Sequence, residues 1–309
     1  MATFDIAGIA RGLHAARRDW REAHGRSREP GAREFPSREA LEGIVARLKG
    51  ALFPMRLGPP ELRLESEDIF VAHELDTALQ ALLAQATLEW RLTARGADGV
   101  PADEAVDERA LQATRAFAEA LPDIRRLLDS DVQAACEGDP AARSVDEVLL
   151  CYPGILAMIH HRLAHRLYGL GLVLLARIVA ELAHAQTGID IHPGARIGPG
   201  FFIDHGTGVV IGETAVIGQR VRLYQAVTLG ARSFPADEHG QLRKGLPRHP
   251  VVEDDVVIYA GATILGRVTL GRGAVIGGNV WVTRDVPAGA HVTQAHAHEQ
   301  RTLQPEGSA

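Results

Sequence analysis

Between Asp190 and Glu213 the chain reads DIHPGARIGPGFFIDHGTGVVIGE, a glycine-rich stretch holding His192, His205, Asp190 and Asp204. An imidazole with a pKa near 6.5 can accept a proton at neutral pH and return it, provided a neighbour fixes its tautomer. His205 is the candidate base and Asp190 the candidate neighbour; a histidine bonded only to backbone fits the spacing equally well. Asp204 adjoins His205, and adjacent side chains of a strand point to opposite faces. Both can therefore serve one site only at a corner or where subunits meet, which predicts an interfacial pocket. Arg248 and His249 offer positive charge, an arginine fork being suited to a carboxylate. Asp139, in a GDPAA loop, offers negative charge for an amine, although alone it reads as a helix cap.

These residues need a rigid wall, and the hydrophobic pattern supplies one. Aliphatic or small residues recur every six positions at Ile191, Ile197, Ile203, Val209, Ala215, Val221 and Val227, and again at Val252, Ile258, Ile264, Leu270, Ile276 and Val282. A six-residue period fits neither an α-helix nor simple strand alternation. It is the signature of a parallel β-helix, three short sides of about six residues making a coil of about 18. Asp190 and His205 would then lie on the same side of adjacent coils, so a His–Asp dyad is geometrically possible. Much of the glycine content, 32 residues, belongs at the corners. The period lapses over residues 231–247, ARSFPADEHGQLRKGLP, which must leave the coil as an extruded loop.

Residues 1–188 read as a helical domain, with residues 1–36 a candidate mobile segment and 25–36 a Pro- and Gly-containing linker. Helices are expected over 4–24, from Ser37, over 60–92, 103–120, 122–136, 145–167 and 172–186. His160, His161, His165 and His184 fall in these helices without a completing carboxylate and read as structural. The β-helix should span 189–288 and an aperiodic tail 289–309; His291, His296 and His298 read as tail residues rather than metal ligands.

The 309 residues, 46% hydrophobic and 23% charged with a net charge of −6, describe an ordinary globular chain of about two domains and offer no electrostatic reason to bind nucleic acid. Cys136 and Cys151 lack metal-ligand spacing and read as buried thiols. No signal peptide or membrane span is expected, and a reducing cytoplasm fits.

The ordered set DPAA at Asp139, DIHPGARIG at Asp190, D-H-x-T-G-x-V-x-G-E-T from Asp204, QAVTLG at Gln225 and RHP at Arg248 closely resembles the serine O-acetyltransferase family from about Asp131 to Val286. The resemblance implies an α+β fold: a helical N-terminal domain followed by a left-handed parallel β-helix of hexapeptide repeats with one extruded loop. It implies transfer of acetyl from acetyl-CoA to the hydroxyl of L-serine, with His205 as general base, Asp190 orienting it, Asp139 and Asp204 on the serine ammonium, and Arg248 and His249 on its carboxylate. The positions matching the family's CoA groove are Gly230, Ala231, Ala260 and Gly278, and no metal is expected. The resemblance also implies L-cysteine as a feedback inhibitor and a homotrimer or a hexamer made of two trimers. Docking to O-acetylserine sulfhydrylase through a terminal isoleucine is not expected, because the chain ends Glu306, Gly307, Ser308, Ala309. Rival readings are acyl transfer to homoserine or a sugar, a β-helix metalloenzyme using His192, His205 and His249, and a scaffold. The charges around His205 suit a zwitterion rather than a sugar.

Overall fold

The structure, a computed structural model, describes residues 3–25, 34–94, 103–233, 237–238 and 240–294. Two compact units divide the chain, Met1–Phe35 and Pro36–Ala309. The first contains α1 (Ile6–Ala23), opened by Asp5, whose carboxylate accepts from the Gly8 N–H at 2.8 Å. In the second, α2 (Arg38–Leu52), α3 (Pro54–Leu57), α4 (Glu67–Ala94), α5 (Asp103–Gly138), α6 (Val145–Cys151), α7 (Pro153–Gly169) and α8 (Val173–Thr187) precede the strands.

Three helix expectations need correction. The two helices expected on either side of Pro122 are one, α5, which carries Pro122 inside it. Proline removes one donor from the ladder, but Phe117, Leu121, Ile124 and Leu128 stay buried on one stripe through the proline and hold the helix against the core. The single helix expected over 145–167 is two, because Pro153 keeps Tyr152 out of the helical region, at φ −82° and ψ 120°. The helix expected from Pro60 begins at Glu67, after a short 3-10 turn at Leu64–Ser66. Both cysteines are free thiols, but neither is buried as expected: Cys136 is partly buried and Cys151 exposed, because α6 is short and buries only Val148, so its apolar residues do not form a core-facing stripe.

From Asp190 onward the chain winds as a parallel β-helix with three faces. Sheet A holds β1 (Asp190–Ile191), β4 (Val210–Ile211), β7 (Thr228–Gly230), β10 (Thr263–Leu265) and β13 (Trp281–Val282). Sheet B holds β2 (Arg196–Ile197), β5 (Val216–Ile217), β8 (Val251–Val252) and β11 (Thr269–Leu270). Sheet C holds β3 (Phe202–Ile203), β6 (Arg222–Leu223), β9 (Val257–Ile258), β12 (Val275–Ile276) and β14 (His291–Val292). Each coil therefore turns three corners. The second residue of each strand from Ile191 to Val282 points inward and is buried, and so is a smaller residue at most corners, such as Ala195, Val221, Ala262 and Ala274.

That double occupancy hides a break in register. Ile191, Ile197 and Ile203 are strand positions, but the next are Ile211, Ile217, Leu223 and Leu229, while Val209, Ala215, Val221 and Val227 are corner positions. Asp190 pairs with Val210, whereas Val210 pairs with Thr228, so the first coil is two residues longer than the second. The extra length lies in the corner from Asp204 to Val209, which passes through left-handed backbone at His205 (φ 58°), Gly206 (φ 85°) and Gly208 (φ 78°). The loop leaves after β7 and the coil resumes at β8. The expected aperiodic tail is ordered at its start: His291 and Val292 pair with Val275 and Ile276, because an open sheet edge offers unpaired backbone groups. His296 and His298 lie outside the described residues.

A buried clasp fixes the helices to the first coil. Arg162 of α7 pairs with Asp131 of α5 at 3.0 Å and donates to the carbonyl oxygens of Ile197 (2.5 Å) and Gly198 (2.7 Å), and Asp131 accepts from the Phe201 N–H at 2.9 Å. Ser130 accepts from the Gly200 N–H at 3.0 Å. Both charges are thereby satisfied without water. Glu89 caps α8 from a distance, accepting from the N–H groups of Leu174 (2.7 Å) and Leu175 (2.9 Å). His160 and His161 are buried among these helices, and His165 bonds the Pro193 carbonyl at 2.8 Å.

Candidate active site

The corner between sheets C and A carries Asp204 and His205. Its extra residues let the backbone turn twice through the left-handed region, which swings adjacent side chains away from the strict in-and-out alternation of a strand. Gly206 is required there, since a Cβ on it would meet Ile189 Cδ1 at 2.4 Å. The His205 ring is largely exposed, with Nδ1 3.8 Å from Asp204 Oδ1, while Asp204 is mostly covered. Asp139 reaches this corner from the end of α5. Its Oδ1 accepts from the Ala141 N–H at 2.8 Å and its Oδ2 from the Tyr152 hydroxyl at 2.5 Å. The Tyr152 hydrogen bond, the Ala141 N–H and the nearby charges of His205 and Arg222 hold the Asp139 carboxyl below the usual carboxylate range. Arg222 lies over the Phe202 ring, 5.3 Å from its centroid.

The corner between sheets A and B gathers His192, Glu213, Thr214, Arg248, His249 and Arg267 in successive coils. It is tightly bonded. Arg248 donates to Glu213 Oε2 at 2.7 Å, and Tyr168 of α7 donates to Glu213 Oε1 at 3.1 Å. Burial pushes the Glu213 carboxyl up, but the bonds from Arg248 and Tyr168 outweigh it and leave the group below its ordinary range. Thr214 Oγ1 accepts from the N–H groups of Arg248 (2.9 Å) and His249 (3.1 Å), and Arg267 donates to the Thr214 and His249 carbonyls. The Thr214 N–H donates to His249 Nδ1 at 3.0 Å, which leaves the ring proton on Nε2. His192 is arranged alike, its Nδ1 accepting from the Gly194 N–H at 3.0 Å. Burial, then the neighbouring cation (Arg177 for His192, Arg248 for His249), lowers both histidines to about 4. At neutral pH each is an uncharged N–H donor, suited to a carboxylate or a developing oxyanion. Gly212 makes room for this packing: a Cβ there would lie 2.0 Å from the His249 ring.

The structure thus brings Asp139, Asp204 and His205 together, and separately Arg248 and His249, but it does not join the two groups within one chain. They sit at opposite ends of sheet A, on the order of 15–20 Å apart at about 3.3 Å per residue. Among the described residues, no side-chain hydrogen bond or ion pair links one corner to the other or His205 to Asp190. Asp190 lies at the start of sheet A, beside Glu181 and His184 of α8, with ligand atoms of all three within 4.8 Å of one another. These could hold a cation, so the expectation that no carboxylate accompanies His184 needs correction: Glu181 stands one turn earlier on the same helix and Asp190 follows on the first strand. Glu181 already pairs with Arg177 at 2.8 Å, which disfavours a further positive charge. His192 and His249 share a corner that His205 does not, so one chain does not assemble the three-histidine centre considered above.

The four candidate CoA positions divide in the same way. Gly230 and Ala231 end sheet A where the loop departs, on the side of the A–B corner; Ala260 and Gly278 line the corner of His205 in later coils, where the Asn279 N–H donates to the Ala260 carbonyl at 2.9 Å. Sequence reasoning missed Tyr152, Tyr168, Glu213 and Thr214 as site residues. Glu213 and Thr214 stand inside the motif from Asp204, which is the signal that marks them; nothing in the pattern marks the two tyrosines, whose hydroxyls matter only through folded contacts.

Comparison with known proteins adds a family context to this geometry. Residues 249–284 match the bacterial transferase hexapeptide (six repeats) family. A plasmid-encoded serine acetyltransferase of Synechococcus elongatus is 61% identical over 264 residues, covering 84% of this chain and 82% of the relative. The serine acetyltransferase of Mycobacterium tuberculosis is 50% identical over 162 residues, covering 52% of this chain and 67% of the relative. Among solved structures, serine acetyltransferase 1 of Entamoeba histolytica in complex with L-cysteine superposes with a TM-score of 0.70 at 38% identity, covering 81% of this chain and 86% of that one. The Neisseria gonorrhoeae serine acetyltransferase in complex with serine superposes with a TM-score of 0.52 at 30% identity, covering 82% and 94%.

Proposed function

The chain belongs to the serine acetyltransferase family, with its helices followed by a left-handed parallel β-helix, and we propose that it acetylates the hydroxyl of L-serine from acetyl-CoA with His205 as the general base. The observation that carries this reading is the division of charge: carboxylates flank an exposed imidazole at one corner, and a guanidinium with a neutral histidine donor occupies the other. Such a pair matches the ammonium and carboxylate of an amino acid around one hydroxyl.

In this mechanism His205 removes the serine hydroxyl proton as the oxygen attacks the thioester carbonyl. Collapse of the tetrahedral adduct breaks the C–S bond, and the protonated His205 returns the proton to the departing CoA sulfur. Asp190 orients His205, a role that requires it to turn from Glu181 and His184. Asp139 and Asp204 take the ammonium. Arg248 shares its guanidinium between Glu213 and the substrate carboxylate, and His249 donates from Nε2 to that carboxylate or to the oxyanion. Gly230, Ala231, Ala260 and Gly278 line the path of CoA.

Because the two corners are separated within one chain, the site is completed by a second copy whose A–B corner meets the C–A corner of the first. A trimer about the β-helix closes three such sites, and pairing through the helices gives a hexamer. L-cysteine, which presents the same ammonium and carboxylate, is the expected competitor; the Entamoeba relative is known in complex with it. No described helix is long and apolar enough to cross a membrane. A cytoplasmic site of action fits the use of acetyl-CoA as acyl donor.

The test is thiol release from acetyl-CoA with L-serine, L-homoserine and simple sugars, for the natural chain and for His205→Ala. L-serine should be strongly preferred, and the variant should lose about 10²- to 10⁴-fold in kcat. Undiminished activity in His205→Ala overturns the assignment of the base, and a preference for homoserine overturns that of the substrate.

A further inference from the structure

Asp139 is held on both oxygens, and one of its holders is a residue with no assigned role. Tyr152 stands where α6 ends and α7 begins. Its N–H donates to the Val148 carbonyl at 3.1 Å, and its own carbonyl accepts from the Ile155 N–H at 3.1 Å, so its backbone is fixed at both helix ends. The half-buried ring then delivers the hydroxyl to Asp139 Oδ2 at 2.5 Å. The Asp139 hydrogen bond, burial and the charges of Asp139, Glu147 and Asp204 all push the phenol well above its ordinary value, so its proton stays in place and is committed to Asp139. The Tyr152 oxygen keeps its lone pairs.

We infer that Tyr152 Oη is the third acceptor for the substrate ammonium, completing with Asp139 and Asp204 a cradle that counts N–H donors. A primary ammonium carries three donors, as the lysine head group does, and a tyrosine oxygen accepts as well as donates. Both Asp139 oxygens already accept, from the Ala141 N–H and the Tyr152 hydroxyl, so a further acceptor beside them lets each ammonium N–H find a partner in a half-buried corner, where an unmet donor is costly. Arg222, the cation beside Asp139, rests over Phe202. It balances the excess negative charge of the corner but cannot accept a hydrogen bond. The inference rests on the assignment of Asp139 and Asp204 to the ammonium group.

The experiment compares Tyr152→Phe, Asp139→Asn and the double variant, with L-serine and N-methyl-L-serine as acceptors. Tyr152→Phe keeps the ring and its packing. It should raise the KM for L-serine roughly 10-fold, the loss of one hydrogen bond to a charged group. The kcat and the KM for acetyl-CoA should stay within about 2-fold, since the contact forms equally before and during reaction. The ratio of kcat/KM for L-serine over N-methyl-L-serine should fall several-fold, because the methylated amine has one N–H fewer to lose; a merely structural tyrosine does not move that ratio. In the Asp139→Asn background the effect of Tyr152→Phe should shrink, as the hydroxyl loses the carboxylate that aims it. An unchanged serine KM in Tyr152→Phe alongside a raised one in Asp139→Asn overturns this inference alone. An unchanged KM in Asp139→Asn overturns the ammonium assignment on which it rests.

Discussion

At the corner between sheets C and A, His205 projects from left-handed backbone with one carboxylate 3.8 Å away; at the corner between A and B, His249 is buried, bonded through Nδ1 and overlaid on a glycine. The same residue type is thus presented in two opposite ways on one scaffold. A base must exchange protons with substrate and remain accessible, whereas a clamp gains from donors aimed before the substrate arrives. The A–B corner is held by Glu213, Thr214, Tyr168 and Arg267, while the C–A corner draws Asp139 from the helices. Neither corner is a site alone, and the length of sheet A keeps them apart. The proposed reaction would therefore draw one corner from each of two copies of the chain.

The largest effect comes from separating the corners genetically. His205→Ala and Arg248→Gln should each be nearly inactive, the first by about 10²- to 10⁴-fold. Unfolding and refolding the two variants together should restore up to roughly a quarter of natural activity, the fraction of interfaces that by random mixing pair an intact corner of each kind. Failure to recover any activity from mixed, correctly assembled oligomers would falsify the composite site.

A second break targets the support of the C–A corner. Asp131→Ala strands the buried Arg162 guanidinium and should cost about 3–5 kcal/mol in chemical denaturation. Removing the clasp that seats α5 should also raise the serine KM through Asp139. A loss of less than about 1 kcal/mol would mean that the pair behaves as a surface ion pair and does not anchor the helices.

The A–B corner should be the acid-sensitive one. His192 and His249 are lowered to about 4 in the folded chain, whereas an unfolded histidine titrates near 6.5. The unfolded state therefore binds more protons between these values. The stability contribution is complete above about pH 6.5 and is lost as pH falls toward 4. Thermal midpoints measured across that window should decline for the natural chain and decline less for His249→Asn; parallel curves would show that this imidazole is not held neutral by the fold.

The hydrophobic period and the chemistry-bearing residues were both legible in the sequence because they obey different constraints. Inward positions such as Ile258 and Ile276 must be aliphatic, so His205 and Arg248 stand out against them, whereas Asp139, outside the period, is marked only by the family motif. The register break at 204–209 was not legible, since strand residues such as Ile211 and corner residues such as Val209 are both aliphatic and buried, and a six-step count passes from one class to the other unnoticed. Pro122 inside α5 escaped for a related reason: packing on both sides of it outweighs a local breaker. Tyr152 and Tyr168 act through single hydroxyl contacts that close only when α6, α7 and the β-helix meet. The proposed pairing of the corners would involve a second chain, which lies beyond any intrachain pattern.

The smallest effect sharpens the comparison at the level of one Cβ. His205 has φ 58°, a region where a Cβ costs about 1 kcal/mol relative to glycine; His249 is not among the positive-φ residues. Both His205→Gly and His205→Ala remove the imidazole, so they differ only in backbone preference. His205→Gly should be the more stable by about 1 kcal/mol, which for a chain of this size is about 2 °C in thermal midpoint. At His249 the order should reverse, glycine being less stable than alanine by about 0.5–1 kcal/mol because it gains only unfolded-state freedom. The same order at both positions would remove left-handed strain as the feature that distinguishes the corner of His205 from the corner of His249.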